Sequence, residues 1–89
     1  MDLQTSTQFR RDIRRLRRRG RDIEKMQVVV DRLLAGQDLD PSNRLHRLTG
    51  NWAGRWECHI EPNWLLVWIQ YDEVIYLERT GTHSDIFGR

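Results

Sequence analysis

The 89-residue chain has a single cysteine, Cys58, so no intrachain disulfide can form, which fits a reducing compartment. Long apolar runs are missing too. The longest, Trp64 to Ile69, falls far short of the roughly 20 residues that span a bilayer. The opening Met1-Asp2-Leu3-Gln4 lacks the basic start and apolar stretch of a signal peptide. The expected location is the cytoplasm, with no membrane partner. No Gly-rich phosphate loop occurs, nor any CxxC or HxxxH spacing, so neither a cofactor nor a metal is expected. Cys58 and His59 are neighbours on a predicted strand and face opposite ways, which makes them a poor ligand pair. A chain this short also has no room for a deep cavity, and its site is expected to be a shallow groove.

Acid is scarce in one place. Arg10, Arg11, Arg14, Arg15, Arg17, Arg18, Arg19 and Arg21 crowd one short segment with Asp12 as its only acidic residue, although the net charge is just +2. Such a block concentrates positive potential and favours a polyanion. Its plainer reading is the solvated face of a helix.

Periodicity gives the elements. Thr5, Ser6 and Thr7 offer N-cap hydroxyls for a helix from near Gln8, with Phe9, Ile13 and Leu16 as its buried stripe and Gly20 as its stop. Asp22 can cap a second helix with Ile23, Met26, Val30, Leu33 and Leu34 inward, ending at Gly36. The short turn between them predicts a helical hairpin. Residues 37–54 read as a long connection with a brief strand near Leu45 to Leu48. From Arg55 the period becomes two. Trp56, Cys58 and Ile60 fall on one face, and Arg55, Glu57 and His59 on the other. Trp64 to Tyr71 reads as a central strand and Val74 to Arg79 as its hairpin partner. Ser84 to Phe87 is read as a short tail, and Asp2 to Thr5 as a weak edge strand. The expected fold is a single α+β domain, residues 1–89, with the helical hairpin on one face of an antiparallel sheet and the other face open.

All three histidines, His46, His59 and His83, lie in the second half. An imidazole titrates near neutrality, so one can accept a proton while another donates it. RNA cleavage needs that pairing: a base for the ribose 2′-hydroxyl and an acid for the departing 5′-oxygen, each contributing about 10²–10⁴ in rate. Arg79 or Arg55 could stabilise the phosphorane, and Phe87 could stack on a splayed base. Against this, a lone histidine is most often a surface or core-edge residue. Arg79 could equally pair with Glu57 or Glu78, and Asp85 could simply cap the tail.

Three ordered segments then narrow the choice. They are His46-x-Leu48-x-Gly50-x-Trp52, His59-x-x-Pro62-Asn63-Trp64, and Arg79-Thr80-Gly81-Thr82-His83 ending in Ile86-Phe87. With the Phe9-Arg10-Arg11-Asp12 start, they resemble the YafQ branch of the RelE/ParE toxin superfamily over nearly the whole chain. The resemblance implies a RelE-like fold and a ribosome-dependent mRNA endoribonuclease of a type II toxin–antitoxin system. Its products would carry 2′,3′-cyclic or 3′-phosphate and 5′-hydroxyl ends. Implied partners are a cognate antitoxin, the ribosome and mRNA, with operator DNA reached only through the antitoxin complex. His46, His59, His83 and Phe87 match the family's functional residues. His83 is the candidate acid and His46 the candidate base, with His59 positioning the phosphate and Trp64 supporting from beneath. Asn63 stands where the family usually has Asp, and an amide cannot take a proton as a carboxylate can, so a mechanism that needs the acid leaves this chain slow. Arg14, Arg15, Arg17 and Arg18, with Arg55 and Arg79, are the candidate RNA contacts. Two other readings stay open: a ParE-like gyrase inhibitor, and a non-catalytic ribosome- or RNA-binding module.

Overall fold

The computed structural model describes residues 1–88. Strand β1 (Asp2–Thr5) leads into helices α1 (Thr7–Arg18) and α2 (Ile23–Leu34). A connection with two short 3-10 turns and the two-residue strand β2 (His46–Arg47) follows. Then come β3 (Trp56–Glu61), β4 (Trp64–Tyr71), β5 (Val74–Gly81) and a final short helix, α3 (His83–Phe87). The helix ends follow their capping residues. Ser6 Oγ accepts from Phe9 N–H at 2.8 Å, and Asp22 accepts from Glu24 N–H at 3.1 Å, each satisfying an orphan donor of the first turn.

The sheet order is β1-β5-β4-β3-β2. β2 to β5 pair antiparallel, as expected. β1 does not: it runs parallel to β5, from Asp2 opposite Val74 to Thr5 opposite Leu77. The sheet is therefore mixed, which corrects the antiparallel expectation. A parallel neighbour needs a long crossover rather than a hairpin, and here everything from α1 to β4 is that crossover. The tail, too, is a helix, closed by a capping box in which Thr82 Oγ1 accepts from Asp85 N–H and Asp85 accepts from Thr82 N–H.

The main core lies between helices and sheet. Phe9, Leu16, Met26, Val29 and Val30 meet Cys58, Trp64, Leu66, Trp68, Ile75 and Leu77. Ile13 is only half-buried; Asp12 takes a fully buried place in the α1 stripe instead. The opposite face is partly covered. Leu65 and Val67 pack with Ile86 of α3, flanked by Leu48, Trp52 and Phe87. This smaller cluster seats α3 on the sheet. Two register shifts sit beside the candidate residues. One, between His59 and Glu61, leaves Ile60 unpaired; the other leaves Glu78 unpaired before Arg79. An extra residue bends a strand and re-aims its side chains.

Candidate active site

Register brings the histidines together. His46 on β2 stands opposite Glu57 on β3. His59 lies two residues beyond Glu57 on the same face. Across the sheet His59 pairs with Leu65, and Leu65 with Gly81, so α3 begins with His83 on that line. The ring centroids of His46 and His59 are 6.3 Å apart, as are those of His59 and His83. Phe87 follows at 6.1 Å from His83. Trp52 meets Phe87 edge-on at 5.0 Å. The result is one row of imidazoles ending in an aromatic pair, on the face away from α1 and α2.

Hydrogen bonds fix two of the rings. His46 Nδ1 lies 2.7 Å from the Arg44 carbonyl, and His59 Nδ1 lies 3.2 Å from the Pro62 carbonyl. A carbonyl only accepts, so Nδ1 is the donor in both rings. Both Nε2 atoms face Glu57, whose Oε1 is 3.1 Å from His46 and 4.0 Å from His59. Glu57 is 3% exposed. The sequence placed it on the polar face of β3 and offered it only as a partner for Arg79. Its position between two histidines needs the β2–β3 register, which no local pattern supplies.

Arg79 takes neither of its expected partners. Its Nε donates to Asp12 Oδ2 at 2.9 Å, and one terminal nitrogen donates to Asp12 Oδ1 at 3.3 Å and to the Asp85 carbonyl at 3.0 Å. Arg55 instead binds Glu78 at 2.7 Å and lies over the Trp52 ring at 5.2 Å. Asn63 is exposed in the β3–β4 turn, next to the carbonyl that holds His59. Trp64 is fully buried under the sheet and donates to Thr80 Oγ1 at 2.8 Å. Arg14, Arg17 and Arg18 are exposed on α1. Arg15 turns toward Asp85, 3.4 Å away.

The Arg19 guanidinium holds the Asp85 carboxyl well below the usual carboxylate range. Burial, and secondarily the Glu57 charge, push the Cys58 thiol up to about 12, so it stays protonated and is no nucleophile at neutral pH.

The family model described as "Bacterial toxin of type II toxin-antitoxin system, YafQ" matches residues 1–88. The chain belongs to the YafQ toxin family. The mRNA interferase toxin YafQ of Escherichia coli strain K12 is 32% identical, with 98% of this chain and 96% of that protein covered. Two solved structures share the fold. The E. coli DinJ-YafQ toxin-antitoxin complex aligns with a TM-score of 0.89 at 32% identity, covering 98% of this chain and 97% of that one. A copper-bound mutant toxin from Helicobacter pylori aligns with a TM-score of 0.93 at 33% identity, covering 98% and 99%. Among the described residues no group of three or more His, Cys, Asp or Glu side chains is placed to hold a metal ion. YafQ membership also sets the gyrase-inhibitor reading aside. Among the described residues no helix is long and apolar enough to cross a membrane.

Proposed function

We propose that this protein is an mRNA endoribonuclease, the toxin of a toxin–antitoxin pair, which cleaves by attack of a ribose 2′-hydroxyl on the adjacent phosphorus. The observation that carries this is the row of three imidazoles at 6.3 Å spacing, a span that brackets one phosphodiester. The reaction needs no outside nucleophile. The 2′-oxygen bonds to phosphorus, the 5′-oxygen leaves with a proton, and the products carry 2′,3′-cyclic phosphate and 5′-hydroxyl ends.

The hydrogen bonds favour a division of roles between His46 and His59 that differs from the sequence-based one. His46 faces an acceptor at each nitrogen, the Arg44 carbonyl and the Glu57 carboxylate. With both nitrogens engaged, neither is open to take the 2′-hydroxyl proton, and His46 is the group that positions the phosphate. His59 has one nitrogen anchored and the other beyond hydrogen-bond reach of Glu57, at 4.0 Å. It is the better base for the 2′-hydroxyl. His83, exposed at the start of α3, is the acid, and Phe87 offers a ring face to a base. The exposed Arg14, Arg17 and Arg18 supply an RNA-facing surface, with the ribosome carrying the message. A cognate antitoxin is the expected protein partner.

The test is single-turnover cleavage of ribosome-bound message by His83→Ala and His59→Ala, each with an ordinary substrate and with one carrying a sulfur at the leaving 5′ position. A thiolate leaves without an acid. His83→Ala should therefore be slow on the first substrate and restored on the second, and His59→Ala slow on both. Full activity of His83→Ala on the ordinary substrate would refute the assignment.

A further inference from the structure

Asp85 lies one turn into α3, between the candidate acid His83 and the stacking ring Phe87, and was expected only to cap the chain's last turn. Its carboxylate does cap, accepting from Thr82 N–H at 3.0 Å. It also takes two bonds from one guanidinium of the basic helix. Arg19 donates to Oδ2 at 2.7 Å and to Oδ1 at 3.1 Å. Arg15 stands 3.4 Å from Oδ1 and 3.8 Å from Asp12, between the two acids. The Asp85 carbonyl takes a third arginine, Arg79, at 3.0 Å. The side chain is 10% exposed. The neighbouring backbone is shaped around it: Gly81 has φ +146°, and a Cβ there would stand 2.8 Å from Asp85 Oδ2.

A helix of five residues (His83–Phe87) cannot hold itself in water. Its apolar anchorage is mainly Ile86, with Phe87 at the margin. Rotation of so short an element about that one buried side chain would carry the His83 ring off the line of imidazoles. The Arg19 fork blocks this rotation, because a bidentate guanidinium–carboxylate pair fixes direction as well as distance.

We propose that Asp85 is a positioning residue for His83 and Phe87, acting through Arg19 and Arg15, so that part of the basic helix orients the catalytic turn. This rests on the reading of His83 as the acid. The position of a reacting group matters steeply, since a misplacement of about 1 Å can cost about 10²-fold in rate. The interaction touches no substrate. Its loss should therefore fall mainly on kcat, through the displaced acid, with any rise in KM limited to what the Phe87 stack contributes.

The test uses Asp85→Ala, Asp85→Asn and Arg19→Ala, with two readouts: the kcat and KM of cleavage on programmed ribosomes, and amide hydrogen exchange of the free toxin at Ile86 and Gly88. Both amides are bonded within the turn, to Thr82 and Ser84. Asn keeps an acceptor for Thr82 but loses the charge, so Asp85→Asn should resemble Arg19→Ala. Each should speed exchange in α3 about tenfold or more, leave the sheet amides unchanged, and lower kcat by about 10- to 100-fold. The double variant Asp85→Asn/Arg19→Ala should be no worse than either single one. Unchanged exchange and kcat would overturn the proposal. So would a fall in kcat without faster exchange, or an effect of Asp85→Asn that Arg19→Ala does not share. The exchange arm is independent of chemistry. If His83→Ala cleaves normally, the acid assignment fails, while exchange still reports whether Asp85 holds the turn.

Discussion

Asp12→Ala should be the most damaging single change outside the apolar core. Asp12 has no exposed surface. Its carboxylate accepts from Arg79 at 2.9 and 3.3 Å, from the buried Thr80 N–H at 3.1 Å, and from Gln8 at 3.2 Å. The Thr80 bond closes the stretch of β5 beyond Leu77, where pairing with β1 ends. Truncation to Ala leaves the Arg79 guanidinium with the Asp85 carbonyl alone and the Thr80 N–H with nothing. Breaking a buried pair by removing one partner costs about 3–5 kcal/mol. Arg79 is 17% exposed at its side chain and recovers some hydration, which argues for the lower end, about 3 kcal/mol. At about 4–8 °C per kcal/mol for a domain of this size, the thermal midpoint should fall by about 12–24 °C. Calorimetry or circular dichroism melts of the purified toxin read this directly. Asp12→Asn, which keeps an acceptor for Thr80, should lose less. In Asp12→Leu/Arg79→Met no charge is stranded, so the pair should be more stable than the sum of its singles. A midpoint shift below about 4 °C for Asp12→Ala, the equivalent of about 1 kcal/mol, would refute this account. So would strict additivity in the pair.

Three further outcomes follow from the same geometry. The depressed Asp85 carboxyl stabilises the fold fully above the ordinary carboxylate pKa, near 4, and that contribution drains away as pH falls below it. Urea midpoints between pH 2 and 7 should show an acid limb that Asp85→Asn flattens; an unchanged limb would contradict the pairing. Asn63→Asp puts a carboxylate in the turn that holds His59 and should raise cleavage, by up to about 10²-fold; equal rates would remove any need for the acid. Replacing Arg14, Arg17 and Arg18 with Ala should weaken ribosome association and lower the slope of log affinity against log salt by about 1 for each lost phosphate contact. A slope identical to the parent's would place the RNA surface elsewhere.

What the sequence made legible depended on whether the signal was local. The alternation of Trp56, Cys58 and Ile60 with Arg55, Glu57 and His59 correctly sent His59 to the face away from the helices. The caps at Ser6 and Asp22 and the stop at Gly36 also followed from local chemistry. The partner of β1 did not, because four residues carry no mark of a strand some seventy positions away. Two features carry local signals of their own. Asp12 sits at helical spacing between Phe9 and Leu16, and an acid in an apolar stripe requires a buried cation. Thr82-x-x-Asp85 is a capping-box spacing, which marks α3 as a helix rather than a tail. Glu57's place between His46 and His59 was beyond reach, since it needs the register of a two-residue strand.

The parallel pairing of β1 with β5 also bears on when the histidine row can assemble. During synthesis β1 emerges long before β5, the strand it pairs with, and β5 also carries the chain to His83. Contacts this distant in sequence form late and slowly. An emerging copy therefore keeps an open sheet edge and an incomplete imidazole row until β5 and His83 have followed.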